Sequence, residues 1–172
     1  HIPSSVVAEG RGTWGGAGDR GDAAMTAYGA SRWALATGDK ELGREIWPFI
    51  EWCLEFCERK KTADGVIASD RDELEGRFSS GKTNLATSTL TYDALLSAAS
   101  LAEALGEPVE KSTTYRKRAG ELRAAIEKVF GATVAGRETY RYHEGLEQAR
   151  AWICLPLVMG INDRAMGTVE TL

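Results

Sequence analysis

The sequence predicts an all-α fold of repeated helical hairpins, with a short β-hairpin or extended loop near residues 133–142. Three observations carry this expectation. Four long stretches repeat apolar residues at helical spacing. A corner in which Gly ends one helix and an acidic residue follows occurs at Gly38-Asp39 and again at Gly106-Glu107, with a looser copy from Gly160 to Asp163. In each hairpin the first helix is Ala-rich with few charges, and the second carries the charged face. Alternation of inner and outer helices fits either an α-solenoid or a closed toroid of helix pairs.

The first helix is expected over Asp22–Thr37. Ala23, Ala24, Ala27, Ala30 and Ala34 give it a small-residue surface that another helix can approach closely. Asp22 is expected to N-cap it and Gly38 to supply the left-handed residue that ends it. Asp39 then caps the second helix. Its apolar stripe runs through Leu42, Ile46, Phe49, Ile50, Cys53, Leu54, Phe56 and Cys57. Pro48 lies within that stripe and is expected to kink the helix or reset its start. Lys60 and Lys61 complement the dipole at its end.

The third helix is expected over Ala86–Leu105, on the spacing of Leu90, Ala94, Leu95, Ala98, Leu101 and Ala102. Gly106-Glu107-Pro108 stops it. The fourth, Lys111–Phe130, sets Ala119, Leu122, Ala125, Ile126, Val129 and Phe130 against a wet side of Arg116, Lys117, Arg118, Glu121 and Arg123. Val134, Thr139, Tyr140 and Tyr142 around Ala135-Gly136 read as the β-hairpin. Glu144–Met159 is expected to return to helix with Pro156 inside it, and Asn162-Asp163-Arg164 to start another.

Composition limits the function. The 172 residues are 43% hydrophobic and 27% charged, an ordinary globular mixture that excludes disorder. They suffice for a single domain. There are 21 Lys and Arg against 25 Asp and Glu, for a net charge of -4. That balance gives no basic footprint for nucleic acid or an anionic membrane. The longest apolar run, Trp152 to Ile161, falls short of the ~20 residues of a membrane span. Neither nucleic acid nor membrane is expected as a partner. No leader pattern opens the chain, and the abrupt start at His1-Ile2-Pro3 reads as an internal piece of a longer protein. Cys53 and Cys57 share a helix face and, with Cys154, read as buried core thiols in a reducing, cytoplasmic setting. Two histidines and no second cysteine pair lead to the expectation of no metal and no cofactor.

Three segments are candidates for chemistry. The connection from Asp64 to Thr83 holds four carboxylates, Asp70, Asp72, Glu73 and Glu75, followed by Arg77 and Phe78 among glycines. Long connections in compact domains are commonly functional. Acid–base catalysis needs a carboxyl group whose pKa rises through burial or like-charged neighbours, and this segment supplies such groups. A solvated acidic loop is the alternative. The Gly12–Asp22 segment is too glycine-rich for core packing and lacks the Lys-Ser/Thr of a phosphate loop. Trp14 within it reads as an exposed platform for the apolar face of a sugar, or as a cap on the core. Tyr140-Arg141-Tyr142-His143-Glu144-Gly145 mixes aromatic, basic and acidic groups. A lone internal histidine such as His143 is more often structural than catalytic.

Several of these stretches resemble a known superfamily. Gly21-Asp22-Ala23-Ala24, Ala36-Thr37-Gly38-Asp39-Lys40-Glu41-Leu42, Ile46-Trp47-Pro48-Phe49-Ile50 and Asp64-Gly65-Val66-Ile67 look like units of the six-hairpin glycosidases. That superfamily includes glucoamylases, trehalases, processing α-glucosidases and α-L-rhamnosidases. The resemblance runs from about Gly10 to Ile161. It implies part of an (α/α)6 toroid, with residues 1–172 as one domain of a larger barrel. It further implies inverting hydrolysis of a glycosidic bond by two carboxylic groups, and a carbohydrate substrate. The family acid commonly follows the Asp-Gly-hydrophobic turn, which points to Glu75, with Asp72 second. Trp14, Arg77, Lys82, Asn84 and Tyr142 would then stack on sugar or hydrogen-bond its hydroxyls. Six hairpins need well over the present length, and the family base commonly comes from later hairpins. A half-toroid is therefore expected to be inactive alone and to form a homodimer through its open edge. A non-catalytic α-solenoid binding module and a sugar epimerase or isomerase of the same toroid class are the alternatives.

Overall fold

The computed structural model describes residues 21–69 and 79–172. Four long helices lead the chain: α1 (Asp22–Thr37), α2 (Lys40–Arg59), α3 (Leu85–Leu105) and α4 (Val109–Phe130). Strands β1 (Gly131–Val134) and β2 (Arg137–Tyr140) follow, then a 3-10 turn (Ala151–Cys154) and two short helices, α5 (Leu155–Val158) and α6 (Ala165–Thr171). The fold is mostly α with one small antiparallel β-hairpin, as the sequence predicts.

Helix α3 is the centre of the structure. Of its 21 residues 17 are buried, because neighbours cover it on several sides. It packs on α1, α4 and α2, and on the 3-10 turn and α5. Its small residues Ala94, Ala98, Ala99 and Ala102 are almost wholly buried, as are Ala23, Ala24 and Ala27 of α1. Small side chains let the two backbones come close. The two helices run parallel: Gly21 lies against Thr87 at one end, and Ala34, Leu35 and Gly38 line a cavity with Leu101 and Leu105 at the other. Parallel neighbours require a return helix between them, and α2 is that helix.

Helices α2 and α4 form the outer layer. Glu51 pairs with Lys111 at 2.6 Å, Glu55 with Arg118 at 2.6 Å, and Lys61 with Glu121 at 3.5 Å. The inward face of α2, Trp47, Ile50, Cys53, Leu54 and Cys57, is buried. Cys53 and Cys57 are free thiols in the core, as expected, and burial raises the Cys53 thiol to about 11. Asp39 caps α2 through the amides of Glu41 and Leu42, 3.0 and 3.1 Å away.

Three local expectations change. Asp22 does not cap α1; Gly21 holds that position with a left-handed backbone, and Asp22 is the first helical residue. Pro48 does not reset the start of α2, which runs without a break from Lys40 to Arg59. Glu144–Met159 is not one helix. The chain from Arg141 to Leu146 is held off helical geometry by amide bonds from Arg141 to Phe130 O and from Leu85 to Tyr142 O. Pro156, lacking an amide hydrogen, sits in the first turn of α5, where that loss is tolerated.

The β-hairpin pairs Gly131 with Tyr140 and Val134 with Arg137. Its two-residue turn, Ala135-Gly136, has φ of 51° and 78°, the double left-handed turn that matches strand twist. Helix α6 closes over β2. Thr139 and Thr168 share a buried hydrogen bond of 2.8 Å, and Arg164 reaches both Glu127 and Glu138. Among the described residues, no helix is long and apolar enough to cross a membrane.

Candidate active site at the N-terminal end of the inner helices

The parallel course of α1 and α3 brings two helix N-termini to one end of the molecule. Their partial positive charges add there. Gly21 makes the approach possible: its φ is +85°, and a Cβ would stand 2.7 Å from Thr87 Oγ1. Asp22 is the acidic residue in the first turn of α1, and the first turn of α3 has none.

The chain returning from α2 builds the wall beside these termini. Lys61 bridges Ile67, and Ala68 bridges Thr83. The Ser69 amide donates to Lys82 O at 3.0 Å, and the Ile67 amide to Ser88 Oγ at 3.1 Å. Ser69 and Ser79, the described residues on either side of 70–78, therefore both belong to this end. Asn84 starts α3, its side chain accepting the Thr87 amide at 2.8 Å.

The segment after β2 closes the wall. The Leu85 amide donates to Tyr142 O at 2.8 Å. His143 is buried, and Gly81, with φ of +68°, packs so closely that a Cβ would lie 2.9 Å from His143 Cβ. The ring bonds twice, with Nδ1 2.8 Å from Glu144 O and Nε2 2.8 Å from Ser79 Oγ. A carbonyl only accepts, so Nδ1 donates to Glu144 O, while Nε2 shares a hydrogen bond with the Ser79 hydroxyl. Arg150 donates to Ser79 O at 3.1 Å and lies 3.9 Å from the centroid of the Tyr142 ring.

The residues singled out in the sequence divide into three groups. Trp14, Asp72, Glu75 and Arg77 lie outside the described residues. Lys82 is exposed at the candidate end, on a cavity of about 280 Å³ shared with Lys60, Ala68, Ser69 and Gly81. Asn84 and Tyr142 belong to the same end but are fully buried, one as a helix cap and the other beneath Arg150. Sequence reasoning missed the Ser79–His143 pair and Arg150. The pair is 64 residues apart and carries no local spacing signal. Among the described residues no group of three His, Cys, Asp or Glu side chains could hold a metal ion.

The largest upward pKa shift falls on Tyr140, through burial first and then the Glu127 carboxylate that accepts its hydroxyl. Tyr115 is raised to about 12 by burial and by Glu51 and Glu55. Both phenols are held in their neutral form, and neither is suited to give up a proton near neutrality. The described part of the candidate end offers hydroxyl, amide and ammonium donors. Such donors hydrogen-bond a polyhydroxylated or anionic ligand.

Known proteins share this architecture. No protein-family model matches the sequence, and no curated protein does. The family GH78 rhamnosidase of Bacillus sp. GL1 matches in structure with a TM-score of 0.67 at 15% identity, over 84% of this chain and 16% of that one. A rhamnosidase from Klebsiella oxytoca, solved with rhamnose bound, matches with a TM-score of 0.64 at 19% identity, over 83% of this chain and 27% of that one. The likeness is one of fold, and this chain spans about a sixth and about a quarter of the two rhamnosidase chains.

Proposed function

We propose that this chain is part of the catalytic domain of a glycoside hydrolase and that it binds carbohydrate at the N-terminal end of α1 and α3. The observation that carries this is the parallel inner pair, with both N-termini at one end, in a fold that two rhamnosidases share. The remainder of the barrel would complete an (α/α)6 toroid around that end. The proposed reaction is an inverting hydrolysis. A carboxylic acid protonates the leaving glycosidic oxygen, while a carboxylate some ~6.5–9.5 Å away removes a proton from the attacking water. Glu75 is proposed as the acid, with Asp72 as its alternative. The second carboxylate would come from a later hairpin. Trp14 would stack on the sugar face, and Arg77 and Lys82 would hydrogen-bond its hydroxyls. Asn84 and Tyr142 would support the wall behind them.

The test is a titration of the 172-residue protein with mono- and disaccharides, followed by tryptophan fluorescence. The expected result is a saturable change that Trp14→Ala removes, with little hydrolysis of aryl glycosides. Where hydrolysis is measurable, Glu75→Gln should lower kcat by about 10²–10⁴-fold. No response to any sugar would overturn the reading and favour a solenoid that binds other partners. A sugar response with unchanged hydrolysis in Glu75→Gln would remove Glu75 as the acid.

A further inference from the structure

The outward face of α2 carries a row of aromatic rings, of which Phe56 is partly buried against the core while Phe49 and Trp52 are exposed. Phe49, Trp52 and Phe56 follow one another at helical spacing. The first two are 47% and 41% exposed although both are large and apolar. The ring centroids of Phe49 and Trp52 are 6.3 Å apart with planes 12° from parallel; those of Trp52 and Phe56 are 5.6 Å apart and 20° from parallel. The row spans about 10 Å of helix axis.

Positive charge ends the row. Arg59 and Lys60 both stand over the Phe56 ring, 5.9 and 5.5 Å from its centroid. The ring quadrupole holds the two cations at that place. Lys60 also lines the cavity of about 280 Å³ that Lys82 lines. Because α2 runs antiparallel to α1, its C-terminus lies at the candidate end. Row, cations and cavity therefore form one continuous path that leads up the outer wall to that end.

We propose that this path binds an extended acidic polysaccharide, with sugar faces on Phe49 and Trp52 and carboxylates at Arg59, Lys60 and Lys82. The proposal rests on the carbohydrate reading above and gives it a substrate class. Nearly parallel exposed rings suit the flat C–H faces of successive sugars. The fixed cations select a charged chain over a neutral one. With a net charge of -4, the protein has no general attraction for a polyanion, so retention must come from this local site.

Affinity electrophoresis through gels containing polygalacturonate, or neutral dextran at equal concentration, tests the proposal. The expected result is retardation by polygalacturonate alone. Trp52→Ala should weaken it by about tenfold. Lys60→Glu with Lys82→Glu should abolish it, and rising salt should weaken it. These side chains are solvent-facing, and circular dichroism should confirm an unchanged fold. Equal retardation by dextran, or none by either polymer, would overturn the proposal. So would a concentration-dependent dimer that Trp52→Ala converts to monomer, which would make the row an interface between copies. The monosaccharide titration of the unsubstituted protein reports on the inner end separately. A positive titration with no polymer binding ends this proposal and leaves the other standing.

Discussion

At the scale of single residues, a few side chains fix where helices begin and which groups stay neutral. Asp39 satisfies two free amides at the start of α2. Asp39→Ala should cost about 1 kcal/mol in urea unfolding, and Asp39→Asn much less. Cys53 behaves differently, because its environment penalises a charge. Burial raises its thiol to about 11, so the folded protein favours the protonated form. Its contribution is therefore fully present at neutral pH. It declines once the thiol of the unfolded chain ionises, from about pH 9 upward through pH 11. Unfolding midpoints should stay level to about pH 9 and then fall, and Cys53→Ala should flatten the fall. A midpoint equally pH-dependent in that variant would place the alkaline transition elsewhere. The candidate site shows why residue type alone misleads. Asn84 and Tyr142 are the kinds of residue that contact sugars, yet one caps a helix and the other is covered by Arg150. Polar groups with structural partners have the same composition as polar groups that wait for a ligand.

At the scale of elements, the four long helices were legible because periodicity, caps and stop signals agree within each. The hairpin was legible because Ala135-Gly136 sits between residues of strand character. The segment from Glu144 to Met159 was not. Its apolar residues imitate a helical period, but the chain entering it is tied by distant amide bonds to α3 and to Phe130 at the end of α4, which no local pattern encodes. Pro48 shows the opposite balance, with tertiary packing overriding a local breaker. Trp47 and Ile50 on either side of it are buried, and their contacts hold the helix through a position that lacks an amide donor. Pro48 itself is exposed. Pro48→Ala should restore that donor without disturbing the core, and raise stability by about 1–3 kcal/mol in chemical denaturation. A loss of stability would mean that the proline rigidifies the unfolded chain more than it weakens the helix.

At the scale of the whole molecule, the two inner helices are unequally covered. α3 is enclosed, whereas α1 leaves Met25, Trp33 and Leu35 at 47%, 48% and 36% exposure. A flank of this kind suits another helical hairpin or a second copy of the chain. Sedimentation at increasing concentration should show self-association, and Trp33→Glu should weaken it. A strictly monomeric protein at high concentration would argue against an open edge. In-and-out alternation was readable from the sequence because each inner helix is rich in alanine and each outer helix in charge. The parallel alignment of α1 and α3 was not, since it depends on how the connection through Lys61–Thr83 turns the chain back.

That alignment also sets a schedule for synthesis. Chain elongation proceeds at about 5–20 residues per second, so α1 and α2 leave the ribosome several seconds before α3 is complete. They pack on each other, but both also pack on α3, so part of their inner surface stays uncovered until α3 is made. The α3–α4 pair, joined by a tight corner at Gly106, closes as soon as it is made. For those seconds the part of the N-terminal hairpin that packs on α3 faces water.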